Sequence, residues 1–277
     1  MCPVFREFAE EALARKTAEI GMHLHAWNSP PIVPLTVDDY LHRPFLIECP
    51  NDVLREKVHV LTQLLREIFQ VDVVSHRAGR WALDARYAAA LVDEGYCVDC
   101  SVTPHISWQD MKGDPNGSGG SDYRSAPEVP YFVSSTDVNM VGDSPLLEVP
   151  MTIRPVRRAG WNRAFAEAAQ HLPTPYGQRI GRRIFPAVRW LRPNGRNRGQ
   201  MIRLLDEVAD AGQGHAEFML HSSEFMPGGS PRFPNKRSIE RLYQDLEAVF
   251  EAAAKRFRGA TLQEFHDGWV KRREARC

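Results

Sequence analysis

The sequence of 277 residues contains no apolar run long enough to span a bilayer and no signal-like apolar stretch near its start, so a cytoplasmic protein is expected. It carries no net charge, with 35 basic and 35 acidic residues, so global electrostatics select no partner. Its five cysteines are too few and too scattered for a disulfide framework. Cys97 and Cys100 have C-x-x-C spacing but no second pair, and in a strand positions i and i+3 face opposite ways, so core packing is expected of them. Internal repeats and low-complexity tracts are also missing. What remains is ordinary soluble-protein composition and enough chain for one α/β domain over residues 1–277.

The informative stretch is Glu19-Ile-Gly-Met-His-Leu-His-Ala-Trp27, a short apolar segment that runs into Asn28-Ser-Pro-Pro31. Alternation along a strand puts His23 and His25 on one face, with Met22, Leu24 and Ala26 on the other. Two neutral imidazoles on one face are half of a site for a divalent ion such as zinc, cobalt or nickel. The plainer alternative is a pair of histidines hydrogen-bonded to their neighbours.

Around this segment, periodicity predicts a helix over 5–14, an amphipathic helix over 52–69, and a helix over 84–94 that stops at Gly95. Strands are predicted at 71–75, 96–102, 146–153 and 216–221. Further helices are predicted at 200–211 and 235–256, with a short element at 261–265. Residues 107–130 are broken by glycine and proline and read as a loop, long enough to cover a substrate, with Trp108 as a groove-lining candidate. Strand–helix alternation implies a parallel sheet or a βα barrel. His23 and His25, His76, Arg77 and Arg80, Asp99, and His221 all fall at strand ends, the edge that carries active sites in such folds. Glu148 points either into the barrel or out from its edge.

Glu19–His25, Ser75-His-Arg-Ala-Gly-Arg-Trp81 and Leu220-His-Ser222 together resemble the polysaccharide deacetylases, the NodB-homology proteins of carbohydrate esterase family four. The similarity is greatest to the branch found in O-antigen and surface-polysaccharide loci, and it extends through Asp99–Pro104 and Trp190–Gly195. It implies a distorted (β/α)7 barrel and metal-dependent removal of N-acetyl groups from amino sugars. His23 and His25 would be metal ligands, although the family usually spaces its two histidines four apart, and Trp27 stands at that place. Arg77 would orient the catalytic base, Trp81 and Arg80 would contact the sugar, and His221 would protonate the leaving amine with Asp99 tuning it.

The family's first strand carries an aspartate pair, one the general base and the other a metal ligand, and nothing ahead of Glu19 resembles it. The expectation is a barrel lacking its first strand. Asp38-Asp39, preceded by Thr36-Val37, mimics the motif but follows the histidines in a proline-flanked loop. Two alternatives to an active deacetylase therefore stand: a catalytically inactive shortened barrel that binds a glycan or phosphate, and an amidohydrolase-type metal barrel using the same His-x-His.

Residues 154–203 read as an insertion, with twelve arginines against the single acid Glu167. Arginine interleaved with Trp161, Tyr176, Phe185 and Trp190 suits diphosphate contacts, so the acetamido sugar could be nucleotide-linked or carried on a lipid diphosphate at a membrane surface. Nucleic acid is compatible with such a patch but is not the expected partner. The bland alternative is a solvated excursion paired with acidic residues elsewhere.

Overall fold

The structure is a computed structural model that describes residues 3–156 and 187–275. The chain divides into two compact units, Met1–Pro150 with Gly259–Cys277, and Met151–Arg258.

The first unit opens with α1 (Pro3–Ala14), followed by extended chain through the His-x-His segment. α2 (Asp39–His42) is one turn whose start is capped by Asp38, which accepts the Leu41 N–H at 2.9 Å. Asp39 accepts from Leu35 N, Thr36 N and the Thr36 hydroxyl. Burial pushes the Asp39 carboxyl up, but the Thr36 and Leu35 hydrogen bonds outweigh it and bring the group below its usual range. Both aspartates serve turn geometry, so the mimicry of a catalytic pair is local capping.

α3 (Asn51–Phe69) buries Leu54, Val58 and Thr62, one residue per turn along a single stripe, and packs on α4 (Ala85–Asp93). Asp84 caps α4 by accepting the Tyr87 N–H at 2.8 Å. Gly95 beyond its end sits at φ +87°, a left-handed conformation that a side chain would strain.

The sheet of this unit has β1 (Ser75–His76), β2 (Val98–Asp99) and β4 (Leu147–Glu148) side by side and parallel, with β3 (Tyr131–Phe132) antiparallel on β4. The His-x-His segment forms one parallel bridge, Met22 to His76, rather than a full strand. Register aligns His76, Asp99, Glu148 and Tyr131 in one row, so their side chains leave the same face. On the other face Val98, Leu147 and Val149 pack against Leu262, Phe265 and Trp269 of the C-terminal helix Leu262–Glu274. That helix runs well past the short element predicted at 261–265.

The 107–130 loop is tied down. The Glu48 carboxylate accepts the N–H groups of Phe45, Asp114 and Gly119. A Cβ added at Gly113 or Gly117 would lie 2.2 Å from a Glu48 oxygen, so glycine is what lets the loop wrap that carboxylate.

In the second unit β5 (Ile153–Pro155) and β6 (Val188–Trp190) pair antiparallel. The helix Arg198–Asp210 places Met201, Leu204, Leu205 and Val208 in one cluster with Leu191 and Val249. The helix Lys236–Ala254, capped by Asn235, packs Ile239, Leu242 and Leu246 around Phe233. The predicted strand at 216–221 is extended chain, bonded where Glu217 N donates to the Thr152 hydroxyl at 2.7 Å. Six of the twelve arginines of the basic stretch, Arg157, Arg158, Arg163, Arg179, Arg182 and Arg183, lie outside the described residues.

Candidate functional site

The expected two-faced segment is present: Met22, Leu24 and Ala26 are buried, His23 is exposed and His25 half-buried. The His23 and His25 rings meet edge to face with centroids 4.7 Å apart, and Trp27 tilts over His25 at 4.4 Å. Backbone bonds hold the segment against residues 75–79: Met22 N to Ser75 O, Arg77 N to Met22 O, and Gly79 N to Leu24 O. A Cβ at Gly79 would lie 2.2 Å from Leu24 O and 2.6 Å from His25 Nδ1. Only glycine allows this approach.

His23 Nδ1 lies 2.8 Å from the Arg77 carbonyl oxygen. A carbonyl can only accept, so Nδ1 carries the proton and Nε2 keeps its lone pair. Packing around the ring, then the positive charge of Arg77, holds the imidazole down to about 3. One face is open to water, which screens part of that field. The ring is neutral at physiological pH.

Arg77 also lies over the Trp81 ring, its guanidinium carbon 5.3 Å from the centroid. Trp81 itself is buried, and its carbonyl accepts the Tyr123 hydroxyl. Arg80 stacks on Phe45 at 3.8 Å and donates to the carbonyls of Arg43 and Lys112, so its charge organises loops. Trp108 is half-buried and donates its indole N–H to Thr103 Oγ1 at 2.9 Å.

Asp99 is fully buried. His76 Nδ1 approaches Asp99 Oδ1 at 2.5 Å, with His76 Nε2 2.7 Å from the Tyr87 hydroxyl. Ser101 donates both its N–H, to Oδ2 at 2.8 Å, and its hydroxyl, to Oδ1 at 2.9 Å. Glu148, the next residue in the row, also hydrogen-bonds to Asp99 and accepts the Val102 N–H at 2.9 Å. Burial pushes the Asp99 carboxyl up, but the hydrogen bond and charge of His76 and the bonds from Glu148 and Ser101 bring it below the usual range. Glu148 therefore points inward. Reading each strand singly missed this row, because the register aligns residues far apart in sequence. Cys97 and Cys100 direct their thiols at backbone carbonyls, and burial pushes the Cys97 thiol up to about 11.

His221 belongs to the second unit and is exposed. Its Nδ1 lies 3.2 Å from Arg192 Nη2 and 3.4 Å from Glu224 Oε2, and Glu224 Oε2 accepts the His221 N–H at 3.0 Å. Glu224 is buried and paired with Arg192 at 3.3 Å. Burial raises its carboxyl, yet the His221 hydrogen bonds and the Arg192 charge win and bring it down to about 2. The carboxylate beside this histidine is Glu224, three residues on, a capping-box spacing that is visible in the sequence.

For a divalent ion, the chain offers His23 Nε2 and the adjoining His25 ring. Among the described residues no group of three or more histidine, cysteine, aspartate or glutamate side chains could hold a metal. Among the described residues these donors fit two ligand positions.

No family model matches the chain, and no curated protein matches it. Among solved structures it is similar to one described as "putative polysaccharide deacetylase from Mycobacterium smegmatis", at 17% sequence identity and a TM-score of 0.46, over 97% of this chain and 68% of that one. No helix among the described residues is long and apolar enough to cross a membrane.

Proposed function

We propose that this protein is a polysaccharide-deacetylase-like hydrolase that cleaves the amide C–N bond of N-acetylated sugars. The observation that carries the reading is the face bearing His23 and His25 edge to face, with the His23 tautomer fixed by Arg77 O and Trp27 beside them. The parallel strands, with helices between them in sequence, support a barrel of the deacetylase kind. His23 and His25 would hold a divalent ion, zinc, cobalt or nickel, which when bound polarises the amide carbonyl. Trp27 offers an aromatic face for a sugar ring. The substrate we favour is an acetamido sugar of a surface polysaccharide, free or diphosphate-linked.

The test is acetate release from N-acetylhexosamine oligomers and from a nucleotide-linked N-acetylhexosamine, with zinc, cobalt or nickel supplied. Activity abolished by His23→Ala supports the proposal. No acetate under any of these conditions rejects hydrolysis. A two-donor ligand set favours a second reading, a protein that binds the glycan without cleaving it, and glycan binding with no acetate release would establish that.

A further inference from the structure

One peptide unit just past β1 joins two features that are distant in sequence. The bond between Arg77 and Ala78 has its C=O on residue 77 and its N–H on residue 78, in one rigid plane. That C=O accepts the His23 Nδ1–H at 2.8 Å. That N–H donates to the Ser101 hydroxyl oxygen at 2.7 Å. The same hydroxyl donates its own proton to Asp99 Oδ1 at 2.9 Å, and Asp99 is further fixed by Ser101 N and His76. Ala78, Ser101 and Asp99 are all buried, at 1%, 0% and 0% exposure.

We propose that Asp99, Ser101 and the Arg77–Ala78 peptide form a hydrogen-bond relay that holds His23 as its Nδ1–H tautomer and presents an electron-rich Nε2. Every link runs in one direction. The buried carboxylate pulls on the Ser101 proton, and the hydroxyl oxygen becomes a better acceptor for Ala78 N–H. The polarised amide in turn makes Arg77 O a stronger acceptor for the imidazole N–H. Chains of this kind reinforce one another in a low dielectric. The outcome is that of a carboxylate bonded directly to a ligand histidine, which fixes the tautomer and raises the basicity of the far nitrogen. Here the carboxylate acts from three hydrogen bonds away, through a peptide. Asp99 and Ser101 are thus positioning residues, and His76 is one by holding Asp99. The use of Nε2 rests on the hydrolase proposed above; the relay itself does not.

The experiment is nitrogen-15 NMR of histidine-labelled, metal-free protein at neutral pH. It is run on the wild type, Ser101→Ala and Ser101→Thr, with the amide fingerprint recorded for each. Wild-type His23 is expected protonated at Nδ1 and bare at Nε2. Ser101→Ala should move the His23 nitrogen shifts and bring the tautomer ratio toward Nε2–H by up to about twofold, the share that polarisation adds to one hydrogen bond, and Ser101→Thr, which keeps the hydroxyl, should restore it. A wild-type ring protonated at Nε2 overturns the relay with no variant needed. So does a folded Ser101→Ala protein with unchanged His23 nitrogen shifts. Failure of acetate release leaves this result untouched, so the two proposals fall separately.

Discussion

Replacing Glu224 by glutamine removes one buried charge while keeping its size and one acceptor oxygen. The wild-type carboxylate pairs with Arg192 at 3.3 Å, accepts His221 N–H at 3.0 Å, and is only 3% exposed. These contacts take its carboxyl from an ordinary 4.5 to about 2. At about 1.4 kcal/mol per pH unit, that difference corresponds to about 3 kcal/mol of folding stability carried by the ionised form. Because the folded value is depressed, the contribution is complete above the unfolded value and is lost as the pH falls from about 5 toward 2. Glu224→Gln should therefore cost about 2–3 kcal/mol at neutral pH, and the gap between variant and wild type should close in acid. Hydrogen exchange of the amides in 219–226, measured at several pH values, reads this locally and needs no two-state unfolding of the whole chain. A loss below about 0.5 kcal/mol at neutral pH, the size of an ordinary surface change, would refute the reasoning. A gap that does not shrink with acid would refute it too.

Gly79→Ala would drive a methyl to 2.2 Å from Leu24 O, a backbone atom that cannot swing aside, so a lowered melting temperature and displaced His25 resonances are expected; an unchanged melting temperature counts against the close approach. Glu48→Ala strips the acceptor from three N–H groups and should cost about 2–3 kcal/mol, with faster proteolysis between 107 and 120. Unaltered cleavage there would mean that the loop does not depend on Glu48. His23, with its ring held down toward about 3, should show no titration of its C2 proton between about pH 5 and pH 8. A midpoint near the ordinary histidine value would mean that neither the packing around the ring nor Arg77 holds it down.

Helices were the legible part of the fold. Apolar spacing in 51–69 and the aspartate-to-glycine bracket around 85–93 are local signals, and the structure keeps both within a residue or so. The C-terminal helix was underread: it runs through Gly268, a poor helix former, although Thr261 and Glu264 spell a capping box at its start. Strands were overread in length. Named strands of two residues sit within ladders that continue by single bonds such as Cys97 N to Val74 O and Val149 N to Asp99 O. β3 escaped notice because a two-residue strand has no period to detect.

The site divides along the same line. That His23 and His25 share a face follows from alternation within one segment, and the burial of Met22 and Leu24 agrees with it. What each histidine or carboxylate touches depends on register and on peptide orientation, which are fixed only when distant segments pair. Asp99 bonds to His76 and Ser101, and a glutamate three residues from His221 stands at that imidazole. The Arg77–Ala78 peptide shows why such links stay hidden: its contribution comes from backbone atoms that every residue possesses. Side-chain identity marks the ends of the relay, Asp99 and His23, while the direction of one amide decides whether they communicate.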